Sequence, residues 1–380
     1  MNNFIFNNPT KIIFGKDTIK QIGTEIKKQE LRNVLLLAGG GSIKKNGVYD
    51  QAIMSLKESG LNVVEYWGVQ ANPILSHTLN GVKICKENNI DCILAIGGGS
   101  VLDEAKAIGA GCYIDNLWSA FAKEVPVEKS LPVFAILTLS GTGSEMNGNA
   151  VVTNEETRQK WFIGSICLYP KVSIIDPSVQ QSLPWNQTVN GGIDAISHTM
   201  EFYSLGTDEE MFISLDEAIV NTIIKSLDTL KSDNSDYSAR ANLCWAATIA
   251  LNGMSGAGLK GGDWAVHRIE HGVSAIREDV AHGAGLAIIY PAWIKYNYHL
   301  NEKHFLRWSQ KIWGTDSIDE AIEKMKTKYK SWGAPVTLSE IGITREQLPI
   351  IAEKAIEQGE IGNLNKLNYK EVMEILDLAF

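Results

Sequence analysis

The 380-residue sequence predicts an α/β first half, built on a doubly wound and mostly parallel sheet, followed by an all-α second half. Three observations carry that expectation. Short aliphatic runs alternate with polar stretches of helical period through the first half, and glycine clusters stand directly behind two of those runs. Beyond Asp176-Pro177 the strand-like runs give way to long amphipathic patterns.

Taken in order, strands are expected at 11–14, 34–38, 61–66, 92–96, 133–139 and 172–175. Residues 151–152 and 160–163, joined by the polar stretch 153–159, read as a hairpin. After the connector bracketed by Pro177 and Pro184, helices are expected at 216–231, 237–252, 319–332 and 369–378. The chain therefore divides into an α/β domain over 1–181 and an all-helical domain over 182–380. No repeat of solenoid period and no low-complexity tract interrupts it.

Composition narrows the function. A net charge of -9 without a long Lys/Arg run speaks against nucleic acid and against an anionic membrane surface, so a small-molecule ligand is expected. The N-terminus carries no basic region with an apolar stretch behind it, and the five cysteines are scattered without a CxxC pair. Both features suit a reducing cytoplasm.

Gly97-Gly98-Gly99-Ser100 follows the apolar run 92–96 and precedes a helical pattern. Strand, glycine turn and helix start together bind phosphate: a backbone without Cβ atoms approaches a pyrophosphate, and free N–H groups at the helix end stabilise it. Leu102 stands where a GxGxxG fingerprint needs its last glycine, so this is not the ordinary dinucleotide signature. A second turn, Gly39-Gly40-Gly41-Ser42, precedes Lys44 and Lys45 and has no acidic residue before Asp50. A carboxylate at that place would bond the ribose of NAD and repel a 2′-phosphate, so its absence is compatible with NADP(H). A third turn, from Thr138 to Ser144, offers several hydroxyls beside two glycines and does not fit the GxSxG nucleophile elbow.

Four of the seven histidines, His198, His267, His271 and His282, fall between the expected boundary and residue 282. Asp194 and His198 are four apart, as are His267 and His271, which on helices puts each pair on one face. His282 stands beside Gly283, where a turn or helix start can aim it. Taken singly, each pair is ordinary helix-surface chemistry, but together, in small and apolar surroundings, they point to Fe(II) or Zn(II). Arg268 stands where a zincin would carry its glutamate, which removes the general base of that reading.

These segments resemble the iron-dependent, or group III, alcohol dehydrogenase family, in particular its NADPH-using butanol dehydrogenase branch. The resemblance rests on Asn8-Pro9-Thr10-Lys11, GGGSIKKNGVYD from Gly39 to Asp50, Asn72-Pro73, GGGSVLDEAK from Gly97 to Lys106, SGTGSE from Ser140 to Glu145, and the Asp/His set. It implies a dinucleotide-binding first domain, a helical second domain and a metal between them. By it, Asp194, His198, His267 and His282 are the metal ligands. His271 lies near the nicotinamide without ligating, and is the candidate proton relay. Gly97, Gly98, Gly99 and Ser100 bind the pyrophosphate, and Asp103 lies toward the nicotinamide. Asn72, Thr138, Thr142, Asn147 and Lys160 fall around the cofactor, and Gly40 stands where NAD-preferring members carry an aspartate. The implied activity is hydride transfer between NADP(H) and a small primary alcohol or aldehyde, butanol-like, by a cytoplasmic homodimer. A metallohydrolase, a dehydroquinate-synthase-like lyase and a non-catalytic metal-stabilised binding protein are the alternatives. The first would not need the glycine turns, and net turnover of NADPH with aldehyde separates the other two.

Overall fold

The computed structural model describes residues 1–380. Eight strands form: β1 (Lys11–Phe14), β2 (Asn33–Ala38), β3 (Asn62–Trp67), β4 (Cys92–Gly97), β5 (Val133–Leu137), β6 (Asn149–Asn154), β7 (Gln159–Gly164) and β8 (Val172–Ile175). Six of them make one all-parallel sheet in the order β1-β8-β5-β4-β2-β3, while β6 and β7 pair as a separate antiparallel hairpin.

Burial explains why the central strands read as unbroken apolar runs. Side chains alternate between the two faces, and both faces are covered. Val34, Leu36, Leu94 and Ile96 pack on one side with Ala52 and Leu56 of the helix Val48–Glu58. Leu35, Leu37, Ile93 and Ala95 pack on the other with Val82 and Cys85 of Leu75–Glu87 and with Leu102 and Ile108 of Gly99–Gly111. The edge strands β1 and β3 are only partly buried, and their sequences are correspondingly more mixed.

The strand order reverses between β2 and β4, because the chain runs from β2 outward to β3 and then returns across it. Such a switch point opens a crevice at the carboxyl ends of the two strands. The turns Gly39–Ser42 and Gly97–Ser100 both lie at those ends, and β5 delivers the 138–144 loop beside them. β5 stops at Leu137, short of the expected 139, and the Thr138 N–H to the Gly97 carbonyl at 2.9 Å is its last hydrogen bond to β4 before the loop begins.

The second compact unit is helical. Its principal helices are Trp185–Tyr203, Glu210–Ser232, Ala265–Ile276, His282–Asn297 and Ile318–Trp332. The second begins six residues before the apolar pattern suggested, with Glu210 in its first turn, where a carboxylate favours the positive helix end. His282–Asn297 is buried on nearly all sides, as its apolar composition requires. By contacts, this unit comprises Met1–Phe6, Pro184–Asn234 and Trp245–Phe380, and the sheet unit comprises Asn7–Leu183 and Ser235–Cys244. No helix is long and apolar enough to cross a membrane.

Candidate metal centre and nucleotide turns

Three helices of the helical unit bring the expected ligands together. Trp185–Tyr203 presents Asp194 and His198 one turn apart, both buried. Ala265–Ile276 offers buried His267 from its first turn, and His282 is the first residue of His282–Asn297. Gly283 makes that approach possible: a Cβ there would lie 2.1 Å from the Asn190 carbonyl oxygen, so only glycine lets this helix start nest against Trp185–Tyr203.

Asp194 Oδ1 is the focus of the group. The Nε2 atoms of His198, His282 and His267 lie 3.6, 3.7 and 3.9 Å from it. Ligands held about 2.0–2.2 Å from a tetrahedral ion stand about 3.3–3.6 Å apart, close to these three distances. Asp194, His267 and His282 also bring their ligand atoms within 4.8 Å of one another, whereas His198 joins the group through its approach to Asp194. Asp194 Oδ1 and His267 Nε2 are buried without a hydrogen-bond partner, an arrangement that costs stability unless a cation takes up the lone pairs. Carboxylate and imidazole are donors suited to Fe(II) or Zn(II). Electrostatics agree from both sides of the pair. Burial alone would raise the Asp194 pKa, but the facing imidazoles outweigh it and hold the carboxyl well below its ordinary range. Burial would likewise lower His267, yet Asp194 and Glu201 raise it to about 9, so a positive charge is favoured at this spot.

His271 lies one turn beyond His267, its ring 5.6 Å from that of His282, and it groups with Glu270 and His282 apart from Asp194. Two glutamates that the sequence reading passed over also touch the centre. Glu201 Oε1 is 2.6 Å from His267 Nδ1, and Glu270 Oε2 is hydrogen-bonded to His282 Nδ1. The available signal was an HxxE spacing, present both at His198–Glu201 and at His267–Glu270.

In the sheet unit, Gly97, Gly98, Gly99 and Ser100 form the turn and helix start behind β4. The 138–144 loop lies against them: a Cβ on Gly99 would be 2.2 Å from Thr142 Cγ2, and one on Gly98 3.1 Å from Leu139 Cβ. Asp103 ties that loop to β6, accepting from the Ser144 hydroxyl at 2.6 Å and from the Val151 N–H of the strand at 3.1 Å. Buried Lys106 donates to Ser144 Oγ and to the Asn149 carbonyl, both at 2.7 Å, and to Asn147 Oδ1 at 3.2 Å; burial pushes its pKa down to about 8. Asn147 also donates to the Gly143 carbonyl at 2.9 Å, so its amide organises the loop. Asn72, at φ 58°, precedes Pro73, whose carbonyl accepts the Thr153 N–H at 2.8 Å, and Thr153 pairs with Lys160 across the hairpin. Gly41, at φ 95°, caps the short helix Ser42–Lys45, and nothing lies within 4 Å of where a Cβ on Gly40 would stand. Lys44 rests over Trp67, its Nζ 4.1 Å from the ring centre.

Comparison with known proteins agrees with this architecture. Residues 9–177 match the model of the iron-containing alcohol dehydrogenases, and residues 188–380 match that of the Fe-containing alcohol dehydrogenase C-terminal region. The chain is 40% identical over 393 residues to the NADH-dependent butanol dehydrogenase A of Clostridium acetobutylicum, covering 100% of both. It is 35% identical to the NADPH-dependent aldehyde reductase YqhD of Escherichia coli, covering 94% of each. The crystal structure of NADH-dependent butanol dehydrogenase A from Thermotoga maritima superposes with a TM-score of 0.97 at 48% identity, over 100% of this chain and 99% of that one. With both halves matched and the Asp/His set gathered on one oxygen, the chain belongs to the iron-containing alcohol dehydrogenase family.

Proposed function

We propose that this protein is a metal-dependent alcohol dehydrogenase and aldehyde reductase, acting on small primary alcohols and aldehydes such as butanol and butyraldehyde. The observation that carries the reading is the convergence of three imidazole Nε2 atoms on the orphaned Asp194 Oδ1. A divalent ion there, Fe(II) or Zn(II), would act as a Lewis acid on the substrate oxygen while a nicotinamide dinucleotide exchanges the hydride. Asp194 contributes the one formal negative charge among the four proposed ligands, and His198, His267 and His282 contribute neutral donors. His271 would carry a proton on a ring nitrogen between the substrate hydroxyl and solvent. Gly97 to Ser100 would bind the pyrophosphate. Asp103, with Thr138, Thr142 and Asn147, would support the nicotinamide end, while Asn72 and Lys160 would line the cofactor's path.

For the cofactor we infer a preference for NADP(H) over NAD(H). Gly40 puts no carboxylate at the turn after β2, and Lys44 and Lys45 follow it. The relatives differ on this point, since the Clostridium enzyme is named for NADH and the Escherichia enzyme for NADPH. A homodimer in the cytoplasm, with domains over 1–181 and 182–380, completes the reading.

The test is an oxidation assay with NADPH and NADH across aldehydes of increasing chain length, using protein reconstituted separately with Fe(II) and Zn(II). Turnover with metal and loss of it on chelation are expected; metal-loaded protein that oxidises neither cofactor with any aldehyde overturns the reading. Gly40→Asp should lower the NADPH-to-NADH specificity ratio roughly tenfold or more, since one hydrogen bond or repulsion is worth about 1–3 kcal/mol. An unchanged ratio would mean that this turn does not read the ribose.

A further inference from the structure

We propose that Glu201 and Glu270 are positioning residues of the metal centre, each fixing the ring tautomer and orientation of a ligating histidine on a neighbouring helix. The inference rests on reading the Asp/His set as a metal site.

The arrangement is interlocked. Glu201 follows His198 by three residues, yet its carboxylate reaches His267 on the next ligand helix, with Oε1 2.6 Å from Nδ1. Glu270 follows His267 by three residues and in turn reaches His282 Nδ1 on the third. The helix that supplies one ligand thus braces the ligand after it.

Each carboxylate is buried and has its second oxygen committed elsewhere. Glu201 Oε2 accepts the backbone N–H of Trp264, the residue that caps the His267 helix with φ 64°. Glu270 Oε1 accepts the Ser274 hydroxyl at 2.6 Å. Gly285 leaves room for Glu270, since a Cβ there would lie 2.7 Å from its Cγ and 2.9 Å from Oε1.

Tautomer logic follows from these partners. An imidazole that gives its Nε2 lone pair to a cation must carry its proton on Nδ1, and an ionised carboxylate at Nδ1 accepts that proton's hydrogen bond and no other arrangement of it. Nε2 then faces Asp194 Oδ1 without hydrogen, at 3.9 Å for His267 and 3.7 Å for His282. Carboxylate partners of this kind orient ligating imidazoles and raise their donor strength, and losing one commonly weakens metal binding about 10–100-fold.

The test uses full-length protein and Zn(II), with affinity measured by competition against a chromophoric chelator. Glu201→Gln and Glu270→Gln keep the side-chain volume but offer only one accepting oxygen to two donors. Each should bind Zn(II) about 10–100-fold more weakly than wild type. Glu104→Gln is the control, because buried Glu104 pairs with half-buried His77 in the sheet unit, and should leave Zn(II) affinity unchanged. Histidine-selective nitrogen NMR of Zn-loaded wild type supplies a readout that needs no variant: His267 and His282 should be protonated on Nδ1 and coordinated through Nε2. Wild-type affinity in both glutamate variants, or coordination through Nδ1 in wild type, overturns the proposal. Should wild type itself fail to bind stoichiometric Zn(II) or Fe(II), the metal-site reading falls first.

Discussion

The rings of His198 and His267 stack 4.8 Å apart beside Asp194, while His271 stands a turn away. His198→Ala or His267→Ala should therefore abolish activity and sharply lower metal content after dialysis, because the remaining donors hold an ion poorly at neutral pH. His271→Ala should retain metal but turn over more slowly with an altered pH-rate profile. Full metal occupancy in the first two variants would show that His198 and His267 do not ligate the ion. A histidine outside the centre gives a different prediction. Burial lowers His304 to about 4, a drop that the Tyr203 backbone only partly offsets. Its folded pKa lies below the unfolded value near 6.5, so the unfolded chain binds the extra proton between the two. Its contribution is intact above pH 6.5 and is lost as pH falls toward 4. Between pH 7 and pH 5 the wild type should lose about 2 kcal/mol more stability than His304→Gln, read from urea midpoints. At this scale the Asp194/His198 spacing was legible, since i and i+4 share a helix face. Glu201 and Glu270 were only half legible: the HxxE spacing sets each beside a histidine of its own helix, whereas the histidine each one binds lies on the next ligand helix, which spacing does not reveal.

Helices and strands differ in how openly the sequence announces them. Strands buried on both faces, such as β4, appear as continuous aliphatic runs, whereas an exposed helix beginning like that of Glu210–Ser232 depends on side-chain partners distant in sequence. There Arg307 pairs with Glu210 at 2.5 Å, a contact 97 positions away. Close helix approach is equally hidden until the backbones are seen together. Gly283→Ala would set a methyl against the Asn190 carbonyl, which cannot move aside without bending Trp185–Tyr203. We expect a loss of about 1–3 kcal/mol in denaturant unfolding, with weaker metal retention because His282 is the adjacent residue. Unchanged stability together with unchanged metal content would show that the helix start has slack.

Neither compact unit is a single stretch of chain, since the sheet unit includes Ser235–Cys244 from within the helical half. Buried Cys244 belongs to the core cluster that contains Leu137 and Ile175, and Gln181 Nε2 donates to the Ser235 carbonyl at 2.5 Å. The amphipathic pattern over 237–252 could not reveal this, because periodicity shows that a face is buried and not against what. A fragment of residues 7–183 should therefore melt lower than the same fragment fused through a short glycine-serine linker to 235–244. The difference should be roughly 5 °C or more, corresponding to about 2 kcal/mol of restored burial. Equal melting would mean the segment adds nothing to that core. The space around Gly40 has the opposite character. Gly97 and Gly99 are boxed in by Val101 and Thr142, so their replacement would be resisted by packing whatever ligand they meet. Gly40 is boxed in by nothing, so inheritance can vary it without eroding foldability. On the NADP(H) reading proposed above, this turn is the place where a side chain could be added beside the cofactor without disturbing the packing of the sheet unit.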